Sequence, residues 1–252
     1  MGLDSINTSS FSKIEYLSSN YGEMAYPVLK GMFEREIAEH GLSNENDEFS
    51  DLIAILLIKI HKDKTVLPII VDMIFFRNRV GLFTHDLIWA FFQARDPYSL
   101  MLIANYLVSE DVNDVKLACK LLEFVPSINM TMVKGSKKQY IDLFNWIEEN
   151  YPFLSFTGES FQRTSKPMPY ITSLDAKYLY RRVSLYTGEP FTPYTEKEKR
   201  ILGYFNKVDE DNKLLLATCS LKIHNENIYF WNSWINNSIT NQIRIAETRL
   251  RG

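Results

Sequence analysis

The sequence has little of what builds disulfide frameworks and metal centres. Cys119 and Cys219 are the only cysteines among 252 residues, and neither has a second cysteine or a histidine at a spacing that would close a tetrahedral zinc site. We interpret both as small apolar core residues. Glu36 and His40 have the spacing of two ligands on one helix face, but His40 beside Gly41 equally fits a helix carboxyl end. We therefore predict no metal site and no cofactor.

The motifs of the common enzyme classes are also missing. The sequence contains no Gly-x-Ser-x-Gly elbow, no HExxH, no GxxxxGK[ST] loop and no GxGxxG turn. These patterns mark many hydrolases, zinc proteases and nucleotide-binding proteins. We therefore assign no catalytic residue and favour a protein that is not an enzyme. An unfamiliar enzyme that uses carboxylates or tyrosines stays as an alternative.

Neither a basic excess nor a long apolar run is present. With 28 Lys and Arg against 31 Asp and Glu, the formal charge of −3 gives no general attraction to phosphate backbones or anionic lipid. The longest apolar run, residues 65–76, carries Asp72 and is shorter than the roughly 20 residues of a membrane span. The first residues do not have the pattern of a secretion signal. We predict a soluble, cytoplasmic protein without a membrane contact.

Amphipathic segments of helical length follow one another between residues 21 and 151. In the clearest, from Asp111 to Val125, four apolar residues follow the i, i+3, i+4, i+7 spacing of one helix face and Pro126 ends the pattern. These face residues are Val115, Ala118, Cys119 and Leu122. Four further helices precede it, and their expected spans or start signals are Asp47 to His61, Thr65 with Pro68, Thr84 with Asp86, and Asp96 with Pro97. Helices joined by such short turns pack antiparallel.

The residues SEDVNDVKLACKLLEFVP, at positions 109–126, resemble the second half of a HEAT-type repeat. Acidic and Asn turn residues there lead into a helix with Val, Ala and Leu at core positions. The resemblance covers about residues 45–150, and it departs from the family pattern where HEAT repeats place Asp and Arg at fixed turn positions. It implies an all-α array of stacked antiparallel helical hairpins whose concave face recognises proteins.

The pattern changes after the helical region. Between residues 152 and 195, prolines, glycines, serines and threonines break the helical rhythm and predict a Pro- and Tyr-rich connector with one short helix, from Leu174 to Tyr186 after Ser173. Thr195 with Glu198 forms a capping box that opens the C-terminal helices. We therefore divide the chain into a helical-repeat-like domain (1–151), the connector (152–195) and a C-terminal helical segment (196–252).

Asp72 is a carboxylate inside the apolar stretch VLPIIVDMIFF. A carboxylate in a buried helix needs a partner or access to solvent. Arg77 follows it along the same helix. We favour a structural ion pair between Asp72 and Arg77 over a functional acid.

The connector carries our candidate binding site. Aromatic and cationic residues alternate there, a mixture enriched at interface hot spots and able to stack on single-stranded bases. Residues 163–200 carry 8 Lys and Arg against 4 Asp and Glu, whereas residues 1–51 carry 3 against 10. On the expected helix, five residues form one stripe, which we assign to partner binding: Lys177, Tyr178, Tyr180, Arg181 and Arg182. In the alternative interpretation, these tyrosines pack the connector onto the helical array, and the basic and acidic regions simply attract each other.

The function indicated by these features is a non-enzymatic protein–protein interaction or scaffold module, or a subunit of a larger assembly. The alternative is a nucleic-acid-binding helical-repeat protein that uses the basic residues between 177 and 200. Those residues are Lys177, Arg181, Arg182, Lys197, Lys199 and Arg200. A steep salt dependence of binding would distinguish nucleic acid from a protein partner.

Overall fold

The computed structural model describes residues 24–35, 47–129, 131 and 136–251 and is predominantly α-helical. The predicted all-α fold is confirmed. The chain divides into two compact units, Met1–Phe144 with Gly158–Pro167, and Asn145–Thr157 with Met168–Gly252. The expected connector therefore does not stand as a separate unit, since most of it belongs to the second unit.

The first unit is built from consecutive helices. In chain order they are α1 (24–35), α2 (Asp47–Lys59), α3 (Leu67–Val80), α4 (His85–Gln93), α5 (Leu100–Ala104) and α6 (Val112–Leu121), with short 3₁₀ turns at Lys64–Val66, Pro97–Ser99 and Asn105–Val108. Helix α7 (Lys137–Asn150) crosses the division between the units.

Aliphatic side chains dominate the core of the first unit. Helices α2 and α3 both pack against α4, and α3 also packs against α6. Nearly all of α2 between Ser50 and Ile58 is buried. Five of the most deeply buried side chains are Phe33, Ile53, Leu57, Phe75 and Phe91. A helix that is apolar on most of its surface is expected to lie inside the fold.

The best-patterned helix of the sequence lies where we predicted it. The four residues of its apolar face are at most 1% exposed. The side chain of Asp111 accepts a hydrogen bond from the backbone N–H of Asn113 at 2.7 Å and so caps the helix. The helix ends at Leu121 rather than Val125. Residues 122–127, which include Pro126, form turns and a bend instead.

The expected segment from Asp96 is only partly α-helical. Asp96 caps its first turn by accepting from the backbone N–H of Tyr98. The 3₁₀ turns at Pro97–Ser99 and Asn105–Val108 flank the five residues of α5. Asp63 rather than Thr65 supplies the side chain that caps the 3₁₀ turn Lys64–Val66, which leads into α3.

The second unit combines short strands with helices. Its elements are β1 (Leu154–Phe156), β2 (Tyr170–Thr172), α8 (Leu174–Tyr178), α9 (Glu196–Phe205), α10 (Glu210–Glu226), α11 (Ile228–Trp234) and α12 (Ile239–Arg251). Helix α10 packs against α8, α11 and α12. The predicted capping box of Thr195 and Glu198 opens α9. Apolar side chains of α11 and α12, between Trp231 and Leu250, pack into the core of this unit.

The two strands were not predicted from the sequence. They pair antiparallel, with Leu154 opposite Thr172 and Phe156 opposite Tyr170. Strands of three residues show too few alternations for a period of two to stand out. The pair leaves the fold class unchanged.

No helix in the described part of the chain is both long enough and apolar enough to span a bilayer.

Cys119 and Cys219 are both buried as free thiols. Burial raises the pKa of both thiols, that of Cys219 to about 11. Their packing role as small apolar residues is confirmed.

Candidate functional site

The stripe predicted at residues 177–182 does not exist as one exposed surface. Helix α8 ends at Tyr178 instead of Tyr186. Tyr180 has a φ of 52°, the left-handed conformation that usually belongs to glycine after a helix. The backbone N–H of Tyr180 donates to Lys177 O and that of Arg181 donates to Ala176 O. This pair of bonds is the Schellman pattern, and it reverses the chain within the predicted stripe.

Two of the five stripe residues belong to the core. Lys177 is 3% exposed and Tyr178 is fully buried. The Tyr178 ring stacks on Phe205 with 4.2 Å between centroids, and its hydroxyl donates to Gln242 Oε1 at 2.6 Å. Lys177 Nζ donates to Asn150 Oδ1 at 2.8 Å. Assigning Lys177 and Tyr178 to a docking surface was therefore wrong, because both side chains pack inside the second unit.

The remaining stripe residues lie apart from that core. Tyr180 is 36% exposed and stacks on His224 with 3.4 Å between ring centroids. Arg181 forms an ion pair with Glu198 at 2.7 Å. Arg182 is exposed. Partner binding by Tyr180, Arg181 and Arg182 stays a prediction.

The same geometry reduces the cationic surface on which nucleic-acid binding would depend. Lys177 is buried, Arg181 is paired with Glu198, and Lys199 is paired with Glu196 at 2.7 Å. A neutralised cation contributes less to the counterion release that drives such binding. No observation in the second unit specifically favours this alternative.

The expected ion pair of Asp72 is also different. Arg77 follows Asp72 by five positions in the helix, which places the two residues about 140° apart around the helix axis. Arg77 points inward, is fully buried and pairs with Asp51 at 2.7 Å. Asp72 is exposed and accepts a hydrogen bond from the Tyr106 hydroxyl at 2.7 Å. The predicted Asp72–Arg77 pair was therefore wrong.

Asp72 lies in an open groove on the first unit, which we call the Asp72 groove. Its volume is about 400 Å³, and it lies beside α3, the segment 102–109 and the start of α6. Its apolar lining consists of Pro68, Val71, Leu102 and Val108. Its polar lining consists of Asp72, Arg79, Asn105, Tyr106, Ser109 and Asp114. An apolar surface with a few fixed polar groups is typical of binding sites.

Three hydrogen bonds hold the Asp114 carboxylate in the groove lining. Its side chain is 3% exposed and receives two bonds from Arg79, from Nε at 2.8 Å and from Nη2 at 3.0 Å. The Ser109 hydroxyl donates to the same carboxylate at 2.9 Å. The hydrogen bonds to Asp114 raise the pKa of Arg79. Paired N–H bonds of this kind fix both groups in one orientation.

Tyr106 orients Asp72. The Tyr106 ring stacks on Phe75 with 3.5 Å between centroids and 3° between the planes, and Phe75 is fully buried. Burial and the hydrogen bond to Asp72 raise the pKa of the Tyr106 phenol. The phenol therefore keeps its proton and serves as a hydrogen-bond donor to Asp72 rather than as a base.

The charges of the groove leave one carboxylate in excess. Arg79 and Asp114 neutralise each other, whereas no described cationic side chain pairs with Asp72. The Ser109 hydroxyl donates to the carboxylate that Arg79 already holds. The lining contains no His, Cys or Lys. The hydrogen bonds within the lining therefore occupy Asp114 and leave Asp72 without a described cationic partner.

Sequence reasoning singled out Asp72 but not its neighbours. The signal that identified Asp72 was the presence of an acidic residue within an apolar helix. Tyr106, Ser109 and Asp114 reach the groove from segments 34 to 42 positions further along the chain, and no local pattern links them to Asp72.

The described residues contain no group of three or more His, Cys, Asp or Glu arranged to hold a metal ion. Glu36 and His40 lie outside the described residues.

No protein-family model, curated protein or solved structure matches this chain.

Proposed function

We propose that this protein is a non-enzymatic protein-interaction module whose first unit holds a segment of a partner protein in the Asp72 groove. The main support for this proposal is the groove itself, where four apolar side chains lie beside polar groups already fixed by hydrogen bonds. Groups that are ordered before binding lose little conformational freedom when a partner arrives. A scaffold or subunit role is compatible with this binding mode.

The openness of the groove favours a protein segment over a small metabolite. Sites for small molecules enclose most of the ligand surface. The Asp72 groove is open to solvent, so it would cover one or two side chains of a larger partner. The HEAT-like resemblance led to the same expectation of protein recognition by packed helices, and the stacked-array arrangement remains part of the proposal.

The test uses Val108, which lines the groove and is 48% exposed. Val108→Gln places an uncharged polar group on the apolar lining and should lower partner affinity at least about tenfold, because apolar contact would be replaced by an amide that loses its water on binding. The full chain and the variant are each immobilised on a resin and incubated with an extract of the source cells. The captured proteins are then compared by quantitative mass spectrometry.

Val28→Gln is the matched control. Val28 lies on α1, is 59% exposed and does not line the groove. Both valines are exposed, so neither change should alter the free energy of unfolding by more than about 0.5 kcal/mol. Proteins retained by the Val28→Gln chain and lost by the Val108→Gln chain support the proposal. Equal capture of every protein by both variants contradicts it.

A further inference from the structure

We propose that the segment bound in the Asp72 groove presents an arginine or lysine next to an apolar residue, and that its cation pairs with Asp72. This inference rests on the proposed function and adds the chemistry of the partner. The occupant is a short basic and apolar peptide segment of a protein.

The first support is the state of Asp72. Its Oδ1 accepts the hydrogen bond from Tyr106, while its Oδ2 has no hydrogen-bond partner among the described residues. Because Tyr106 is held by stacking on Phe75, the carboxylate has one orientation before a ligand arrives. A charged acceptor held in this way forms stronger hydrogen bonds with a cationic donor than with a neutral one.

The second support is that no cation within the groove competes for Asp72. Arg79 is the one cationic residue of the lining, and both of its hydrogen bonds go to Asp114. Asp114 is further held by Ser109. The lining therefore keeps one net negative charge at Asp72. A partner cation would complement this charge, and a partner carboxylate would be repelled.

The third support is that the groove suits a peptide cation better than a metal ion. Hard cations such as Ca²⁺ require six to eight oxygen ligands, whereas Asp72 is the one carboxylate of the lining that is not already paired with a cation. Val71, Leu102 and Val108 offer apolar surface beside it. The methylene stem of Arg or Lys packs on such surface while its charged end reaches a carboxylate.

The probe is a displayed library of random twelve-residue peptides, selected on the immobilised full chain. Peptides whose binding is lost on a Val108→Gln chain, where the lining becomes more polar without a change of charge, are groove ligands, and these should be enriched in Arg or Lys beside an aliphatic or aromatic residue. For one such peptide, the dissociation constant is measured on the native chain and on Asp72→Asn. The asparagine keeps an oxygen that can accept from Tyr106, and the denaturation midpoint is checked to confirm that the variant folds.

Asp72→Asn should raise the dissociation constant about tenfold, as expected when one partner of a close charge pair is neutralised. Replacing the peptide arginine by citrulline, or its lysine by acetyl-lysine, should have a similar effect on the native chain. The same replacement should change the dissociation constant less than about twofold on Asp72→Asn, because the charge pair is already gone.

The outcomes separate the two proposals. Groove ligands without a cationic residue, or equal citrulline effects on both chains, overturn the inference and leave the protein-interaction proposal standing. If N-acetylarginine amide binds as tightly as the peptide, the groove is a site for small cations and the peptide inference is wrong. If no selected peptide depends on Val108, the proposed function fails together with the inference.

Discussion

The first unit buries a charge as an ion pair, whereas the second unit buries a lysine beside an amide. In the first, the fully buried Arg77 meets Asp51 within a mostly aliphatic core. In the second, Lys177 meets Asn150 and the core around α10 contains the rings of Tyr178, Phe205 and Trp234. The comparison shows that one chain satisfies buried polar groups in two ways, and these respond differently to substitution and to pH.

The largest expected effect concerns the aromatic core of the second unit. Tyr178→Ala removes a stacked, fully buried ring and leaves Gln242 Oε1 without its donor. It should lower the free energy of unfolding by about 4 kcal/mol. Urea denaturation followed by circular dichroism measures this. Tyr186→Ala, at a side chain that is 67% exposed, is the control and should cost less than about 0.5 kcal/mol.

The aliphatic core of the first unit should respond somewhat less. Leu122 is fully buried at the end of α6. Leu122→Ala should lower the free energy of unfolding by about 3 kcal/mol, within the range for deletion of a buried leucine. The same denaturation experiment applies, with the exposed Leu214→Ala as control. An unchanged midpoint for Leu122→Ala would contradict the placement of this helix face.

Acid should weaken the first unit through Asp63. Burial alone would raise the pKa of this carboxyl, but hydrogen bonds from Thr65, Tyr26 and Lys30 outweigh burial and hold the pKa at about 2. Since the unfolded pKa is higher, the contribution is present above pH 4 and is lost as the pH falls towards 2. The loss should be on the order of 1 to 2 kcal/mol.

Denaturation midpoints measured between pH 5 and pH 2 test this expectation. Asp63→Asn should flatten that part of the stability curve, because the titrating group is absent. Asp142→Asn is the control, since Asp142 forms only an exposed pair with Lys138. A steep acid response that survives in Asp63→Asn would assign the effect to other carboxyls.

The smallest effect concerns Lys177 and lies at the alkaline end of the pH range. Burial lowers the pKa of this amine below its ordinary value, and the charge of Glu149 only partly opposes the change. The unfolded chain then binds more protons, so stability should rise as the pH increases through the folded pKa towards 10.5. Lys177→Met should lose this rise, whereas Lys197→Met, at an exposed position, should keep it. If the free energy of unfolding of Lys177→Met and Lys197→Met changes identically at alkaline pH, this expectation is wrong.

The sequence predicted the helices of the first unit better than the groove that they form. The start of α6 followed from Asp111, and its buried face followed from the spacing of four apolar residues. The groove could not be predicted in this way. It depends on Tyr106 meeting Asp72 and on Arg79 meeting Asp114, which are contacts between distant segments.

The predicted stripe failed for a different local reason. Ser173 correctly marked the start of α8, since its side chain accepts from the backbone N–H of Ala176. The end was misplaced because glycine normally takes the left-handed position after a helix, and here Tyr180 takes it. Tyr180 is held there by stacking on His224, a contact with α10 that no neighbouring residue indicates.

The sequence by itself determined the helical class, the caps at Asp111, Ser173 and Thr195, and the buried face of α6. These follow from hydrogen bonds and apolar spacing within a few residues of one another. Only the tertiary structure decided that Lys177 lies inside while Asp72 faces a groove. Burial and charge pairing depend on which distant segments pack together, and local periodicity does not contain that information.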